Sequence, residues 1–340
     1  MLINLVLLPS VFKLTDGNTK NLDKIATILS VARNRFIFLT KNDYSDEVYA
    51  ALEQGDQSWE SDVRQSATQI LDCIAKGNKV VVDSIFQDKL HCQDLVCNPY
   101  LSIGMTHDEL YFIISENCFQ CTEMTLNELI DRGHKILKLD RTSIPESLLN
   151  KISKTDLQAD HGVWDKNKFQ ENILYPIFKH SCKVQIYDRY IGRASVENEG
   201  YKNTLKWLVE FYKDCSNSDN KIFEIYTGVG FRNKEQTEED WLSRVSEIRN
   251  NIVLTRNELS SIMPESCDFY LAKEGGRDTL NHARYIRTDQ ALICIESGLD
   301  LLQKNNRIRD FHAFHCSDVK LIDRHVLKVK RNNILPIKKR

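Results

Sequence analysis

His282 and Arg284, two residues apart, are the side chains of this chain best suited to phosphate chemistry. In an extended strand alternate side chains project to the same face, so the imidazole and the guanidinium would point into one small area. An imidazole can attack phosphorus or transfer a proton near neutral pH. A guanidinium fork can neutralise two phosphate oxygens at once. The spacing therefore predicts a strand that binds or transfers a phosphoryl group.

A longer pattern extends from this pair and has the form His282-x-Arg284-x4-Asp289-x6-Glu296-Ser297. It resembles the phospholipase D superfamily motif His-x-Lys-x4-Asp-x6-Gly-Ser, with Arg in place of Lys and Glu in place of Gly. The resemblance implies that His282 forms a covalent adduct with phosphorus and that Arg284 stabilises the charge of the phosphorane. Asp289 would orient the imidazole or support the pocket, with Glu296 and Ser297 as further supporting residues.

The residues before this motif are similar to the phospholipase D-like domain at the carboxyl terminus of MIT-domain proteins. Asp188 stands at a strand end, a later strand closes on Gly228 and Gly230, and the segment 296–300 follows in the same order. The resemblance covers about residues 167 to 330. It implies an α/β sandwich and one of two activities, cleavage of a phosphodiester or binding of an anionic lipid.

The chain carries one copy of the histidine motif, because no other histidine has Lys or Arg two positions later. A phospholipase D-like centre needs a histidine that attacks phosphorus and another that protonates the leaving oxygen. A homodimer that brings two copies of His282 together across a two-fold axis would supply both. We therefore expect a homodimer formed through the C-terminal domain, with no metal and no cofactor.

The hydrophobic pattern predicts an α/β protein with two domains. Apolar runs alternate with helical stretches in residues 1–140, which favours a mostly parallel sheet, and the polar residues 141–166 predict a connector. Residues 167–330 follow the order β-α-β-α-β-β-β, which predicts a mixed sheet flanked by helices. Ligands bind outside the carboxyl ends of parallel strands. The sequence-based expectation is that four residues converge at one edge of this sheet: Asp188, Gly228, His282 and Asp289.

Composition limits the class of protein. The chain has 340 residues, of which 41% are apolar and 28% charged, enough to bury two cores. No stretch reaches the roughly 18 apolar residues of a membrane-spanning helix, and the amino terminus lacks the basic region and cleavage site of a signal peptide. The sequence thus predicts a cytoplasmic protein whose ten cysteines are reduced thiols.

Basic residues are concentrated near the carboxyl terminus although the formal net charge is only -2. Lys328 and Lys330 precede a basic tail at residues 331–340, which begins with Arg331. Such a cluster can hold nucleic acid, or an anionic membrane lipid, by releasing counterions. The alternative is a solvated terminal segment.

Two further sets of side chains could bind a metal. Four thiols within thirty residues have the ligand types of a zinc site, and they are Cys92, Cys97, Cys118 and Cys121. The first half also resembles PIN-like nuclease domains, in which carboxylates surround a divalent metal; the acids available are Asp43, Glu47, Asp83, Asp108 and Glu109. Buried structural thiols and exposed surface acids are the competing interpretations.

Two functions from different classes follow from these patterns. The first is an intracellular phosphodiesterase, specifically a nuclease of the kind used as an effector in bacterial antiviral defence. The alternative is a non-catalytic module whose phosphate-shaped patch recognises nucleic acid or anionic lipid. The position of Asp289 after His282 favours the enzyme, and the absence of a second histidine motif favours the module.

Overall fold

A computed structural model describes residues 3–13, 19–31, 36–53, 61–82, 96–115, 123–139, 156–158, 165–194, 199–216, 218, 220–229, 235–262, 264, 266–273, 284–289, 291–296, 298–302, 308, 312–315 and 319–335. The chain divides into two compact units, Leu2–Lys154 and Thr155–Arg340. Each unit is built around its own sheet. No helix among these residues is long and apolar enough to cross a lipid bilayer.

The first unit contains a five-stranded parallel sheet in the order β3-β2-β1-β4-β5. Its strands are β1 (Ile3–Leu7), β2 (Phe36–Thr40), β3 (Asn78–Val81), β4 (Tyr111–Ser115) and β5 (Lys135–Leu139). Its helices are α1 (Thr19–Val31), α2 (Tyr44–Glu53), α3 (Ser61–Lys76), α4 (Asn98–Thr106) and α5 (Glu123–Asp131), with a short 3₁₀ helix at Pro9–Phe12. Every residue of β2 and β4 is buried, as in a parallel sheet that is covered on both faces.

The second unit contains a seven-stranded mixed sheet in the order β6-β12-β11-β10-β7-β8-β9. The strands are β6 (Asp156–Gln158), β7 (Lys183–Tyr187), β8 (Ile222–Val229), β9 (Ser266–Lys273), β10 (Arg284–Thr288), β11 (Leu292–Ile295) and β12 (His312–His315). β7, β8 and β9 run parallel, whereas β10 pairs antiparallel with β7. The remaining pairings, out to β6, are also antiparallel.

The helices of the second unit are α6 (Lys166–Phe169), α7 (Tyr175–Phe178), α8 (Ile191–Ala194), α9 (Glu199–Cys215), α10 (Glu238–Leu259) and α11 (Val319–Arg331). A π-helical turn, Gln170–Leu174, joins α6 to α7. α10 begins at a reciprocal cap in which the Thr237 hydroxyl accepts from the Asp240 N–H and the Asp240 carboxylate accepts from the Thr237 N–H. α11 packs through Ile322, Val326 and Val329 onto one face of the sheet.

The predicted fold class is confirmed, since the chain forms two α/β units with a parallel and a mixed sheet. One difference lies in the segment 141–166, which was expected to be a connector. Within it, Asp156–Gln158 forms the edge strand β6, paired antiparallel with β12. Three residues are too few to give a recognisable alternation of apolar and polar side chains, so only pairing with β12 defines this strand.

Candidate functional site

Asp188 occupies the carboxyl end of β7, where its side chain is completely buried. Its Oδ1 accepts from the Tyr190 N–H at 2.8 Å and its Oδ2 accepts from the Leu299 N–H at 2.8 Å. The Tyr201 hydroxyl also donates to this carboxylate. A buried carboxylate is tolerated only when its lone pairs are satisfied, and here two backbone amides and a phenol do so. Asp188 thereby joins the end of β7 to α9 and to the segment that follows β11.

Arg284 begins β10, beside the buried carboxylate. Its Nε lies 3.9 Å from Asp188 Oδ2, and its Nη1 donates to the Glu296 carbonyl at 3.1 Å. The guanidinium also lies over the Tyr190 ring, 5.3 Å from the centroid. Only 12% of the side chain is exposed. The guanidinium is therefore held in one orientation, which lowers the conformational entropy lost when such a group binds an anion.

Burial raises the pKa of the Asp188 carboxyl, while the Leu299 and Tyr190 N–H groups and the Arg284 guanidinium oppose this rise. Burial, followed by the charges of Asp188 and Asp300, raises the pKa of Tyr201. The Tyr201 hydroxyl therefore keeps its proton and acts as a donor at neutral pH. The donors around the carboxylate and the Arg284 charge thus offset part of the cost of burying its ionised form.

The segment after β11 is fastened to α9 and to the end of β7 by hydrogen bonds from its backbone. The Leu302 N–H donates to the buried Thr204 Oγ1 at 2.8 Å, in addition to the contact between Leu299 and Asp188. Gly298 lies against the Tyr201 hydroxyl, and a β-carbon placed there would come within 2.8 Å of Asp300 Oδ1. This position therefore has no room for a side chain.

We expect Gly298→Ala to lower the free energy of unfolding of the second unit by about 1–3 kcal/mol, because the added methyl must displace the Tyr201 hydroxyl from Asp188. Urea denaturation measures the change. Gly298→Ala combined with Tyr201→Phe should cost less than the sum of the two single changes, since they disturb the same contact. Additive costs would contradict this interpretation.

The structure brings some of the predicted site residues together and separates others. Asp188, Arg284 and the backbone of Glu296 are in contact, and Gly228 is buried in β8 near the same end of the sheet. β8 places Thr227 beside Asp188, because its hydroxyl donates to the Arg189 carbonyl at 3.2 Å. Three predicted residues lie outside the described residues: His282, Gly230 and Ser297.

The expectation that Asp289 converges with Asp188 is wrong. β10 runs antiparallel to β7, with Tyr285 opposite Tyr187 and Thr288 opposite Val184. Asp289 follows β10 and accepts from the Cys182 N–H and thiol, at 3.2 and 3.1 Å, at the amino end of β7. At about 3.3 Å per residue, the five residue steps from Arg284 to Asp289 span roughly 17 Å, so Asp289 takes no part in the Asp188 site.

The predicted basic surface is altered by Lys330, whose ammonium faces inward. Its Nζ donates to Glu224 Oε1 at 2.6 Å and lies 5.1 Å from the centroid of the Tyr270 ring. The Glu224 side chain is 7% exposed. Lys330 is thus the counter-ion of a buried carboxylate and is not available to a phosphate, whereas Lys328 and Arg331 are exposed on α11.

Glu224 is the centre of a buried polar network beneath α11. Besides Lys330, Gln185 and Tyr226 each donate to its Oε2 at 2.7 Å, and Lys183 Nζ lies 3.0 Å from the same oxygen. Burial alone would raise the pKa of Glu224, but these four partners outweigh it and lower the pKa to about 2. The sequence pattern did not indicate this network, because its members are isolated polar residues in otherwise apolar strands and in a separate helix.

Neither predicted metal set is assembled by the described residues. Cys97 is buried, and the other three cysteines of the zinc prediction lie outside those residues, as does Asp83. Asp43 and Glu47 follow β2, whereas Asp108 and Glu109 precede β4. In a parallel sheet the first pair therefore lies at the carboxyl ends of the strands and the second pair at their amino ends. In the part of the chain that is described, no three acids, histidines or cysteines are grouped as metal ligands would be.

Three residues of the Asp188 site were not anticipated from the sequence: Tyr190, Tyr201 and Thr204. Tyr190 lies two positions after Asp188, the spacing at which an aspartate commonly accepts from a backbone N–H, and this signal could have identified it. Tyr201 and Thr204 lie three residues apart on α9 and so on one face, but only the tertiary structure shows what that face meets. Comparison of the chain with protein-family models, curated proteins and solved structures finds no match.

Proposed function

We propose that the second unit is a phospholipase D-like phosphodiesterase that acts on nucleic acid, with His282 as nucleophile and Arg284 as the phosphate-binding cation. The observation that carries the proposal is the fixed orientation of Arg284 by Asp188, Tyr190 and the Glu296 carbonyl at the carboxyl end of β7. Open α/β sheets bind ligands at such ends. The position of His282, two residues before Arg284 in sequence, completes the pair of groups that phosphoryl transfer needs.

The proposed reaction has two steps. A ring nitrogen of His282 attacks phosphorus, the bond from phosphorus to the leaving oxygen breaks, and a general acid protonates that oxygen. Water then attacks the phosphohistidine, which releases the phosphate monoester and regenerates the imidazole. His282 of a second copy of the chain would serve as the general acid, so activity is proposed to require a dimer. Arg284 would stabilise the negative charge that develops on the phosphorus oxygens.

The test is cleavage of labelled single- and double-stranded DNA and RNA in EDTA. We expect cleavage by the unaltered chain and its loss, by at least about a thousandfold, in His282→Ala with binding retained. Arg284→Lys should lower the rate by roughly tenfold or more, because an ammonium cannot reproduce the geometry of the fork. His180→Ala is the matched control and should leave the rate unchanged. Cleavage that needs a divalent metal or survives His282→Ala would contradict the proposal.

A second candidate is a non-catalytic module that binds the phosphates of nucleic acid. The observation in its favour is that Arg284 already contacts Asp188 and the Glu296 carbonyl, so its donors are partly engaged. Lys328 and Arg331, both exposed on α11, would add to the binding surface. Salt-sensitive binding without cleavage of any substrate would support this candidate over the enzyme.

A further inference from the structure

A polar cluster of three side chains lies at the carboxyl edge of the first unit's sheet. Lys41 directly follows β2, and its Nζ lies 2.6 Å from Oε1 of Glu47 on α2. The Tyr100 hydroxyl, from α4, donates to Glu47 Oε2. Lys41 and Glu47 retain 21% and 16% exposure of their side chains, so the carboxylate lies between the interior and solvent. Three separate segments of the chain thus converge on one glutamate.

A buried hydroxyl next to this cluster has no hydrogen-bond partner among the residues that the structure describes. It belongs to Tyr44, a residue that is 1% exposed. The Tyr44 ring meets the Tyr100 ring edge-on, with centroids 5.7 Å apart, and the Glu47 charge acts on the Tyr44 hydroxyl. Buried hydroxyls in proteins are nearly always hydrogen-bonded. An unsatisfied hydroxyl beside a partly exposed carboxylate points to a bound group that supplies an oxygen.

The position of this cluster in the sheet is one where ligands bind. Strand order β3-β2-β1-β4-β5 with every pairing parallel is a doubly wound arrangement, whose ligands lie outside the carboxyl ends of the strands. Thr40 is the last residue of β2, and α2 starts four residues later. In sheets of this order an acid near the end of the second strand can accept from the hydroxyls of a ribose.

The charges of the cluster limit the charge that a ligand bound there can carry. Lys41 contributes one positive charge and Asp43 and Glu47 two negative charges, which leaves a formal charge of -1 and disfavours an anion. Lys41 already lies where a cation would balance these acids, so a metal is not required either. A neutral ligand with adjacent hydroxyls fits, because each Glu47 oxygen keeps a lone pair for a donor while the Tyr44 hydroxyl can donate to a ligand oxygen.

We propose that the carboxyl edge of the first unit binds the ribose of a nucleoside, with Glu47 accepting from its 2′ and 3′ hydroxyls and the Tyr44 hydroxyl donating to a ribose oxygen. This site belongs to the first unit and does not depend on the phosphodiesterase proposed for the second.

The test is calorimetric titration of the full chain with adenosine, guanosine, cytidine and uridine. At least one nucleoside should bind, and its 2′-deoxy form should bind about tenfold more weakly or worse, because one hydrogen bond to the carboxylate is lost. Glu47→Gln should weaken binding by a similar factor. Tyr44→Phe should weaken it severalfold while leaving the thermal stability of the free protein unchanged or higher, since the hydroxyl has no partner there. Tyr49→Phe, on the exposed side of α2, is the matched control.

The combination of variants separates ligand binding from a merely structural link between α2 and α4. A structural link predicts lower stability in Glu47→Gln and no nucleoside binding by any form of the chain, and that result would overturn the proposal. Equal binding of ribose and 2′-deoxyribose forms would overturn it as well. The 3′ end of RNA presents the same pair of hydroxyls, so a ribotetranucleotide is titrated in parallel. Tighter binding of that tetranucleotide than of any nucleoside would exclude a free nucleoside as the ligand.

Discussion

Replacing Asp188 by alanine is expected to lower the free energy of unfolding of the second unit by about 3–5 kcal/mol. The change deletes the acceptor of the Tyr190 and Leu299 N–H groups and leaves the Arg284 guanidinium, 12% exposed, without its carboxylate. Asp188→Asn should cost less, about 1–3 kcal/mol, because it keeps one acceptor oxygen but turns an amide donor toward other donors. Urea denaturation followed by tryptophan fluorescence reports on this unit, which contains Trp164, Trp207 and Trp241.

The control for this prediction is Asp214→Ala on the exposed side of α9, which should change the stability by less than about 0.5 kcal/mol. An Asp188→Ala protein as stable as the unaltered chain would show that the carboxylate does not hold the site together. Arg284 depends on Asp188 for its orientation. Asp188→Asn should therefore also weaken the proposed binding of nucleic acid, by a larger factor than it lowers the fraction of folded protein. Binding that remains intact would argue against Arg284 as the phosphate contact.

Glu224→Ala should destabilise the second unit by about 3–5 kcal/mol, because it leaves Lys330 and Lys183 without a counter-ion beneath α11. The same carboxylate makes the stability of the second unit depend on pH in the acid range. Its pKa is lowered from 4.5 to about 2, so its contribution of about 3 kcal/mol is present above the pKa of the unfolded chain and is lost as the pH falls through 2. Stability measured between pH 6 and pH 2 should therefore fall more steeply for the unaltered chain than for Glu224→Gln.

A matched exposed pair provides the control for Glu224. Lys202 Nζ lies 2.5 Å from Glu258 Oε2, but these side chains are 42% and 49% exposed. Solvent screens such a pair, so Glu258→Ala should cost less than about 1 kcal/mol. If Glu224→Ala were no more harmful than Glu258→Ala, or if Glu224→Gln kept the acid dependence, the Glu224 network would not be what secures α11 to the sheet.

The strands that were predictable share one property, a run of apolar residues bounded by polar ones. Phe36–Thr40 and Tyr111–Ser115 are of this kind. The short strand Asp156–Gln158 has no such run, since it carries two polar residues in three. A local sequence pattern predicts a strand where one or both faces of that strand are buried. It does not identify a short strand at the edge of a sheet.

The direction of β10 explains the main error about the site. His282, Arg284 and Asp289 are close in sequence, which suggested one shared location. The two ends of an extended strand, however, lie far apart. Pairing of β10 with β7 in the antiparallel sense then places Arg284 beside Asp188 and Asp289 beside Cys182. No local feature of the residues 282–289 specifies which end meets which neighbour.

The sequence by itself determined the α/β class, the two units and most of the strands, because these follow from hydrophobic periodicity and composition. Only the tertiary structure decided the partners. It assigned Tyr201 and Leu299 to Asp188, Lys330 to Glu224 and Lys41 to Glu47. The physical reason is that buried charges must find counter-charges and donors, and these come from residues distant in sequence that strand pairing and helix packing bring together.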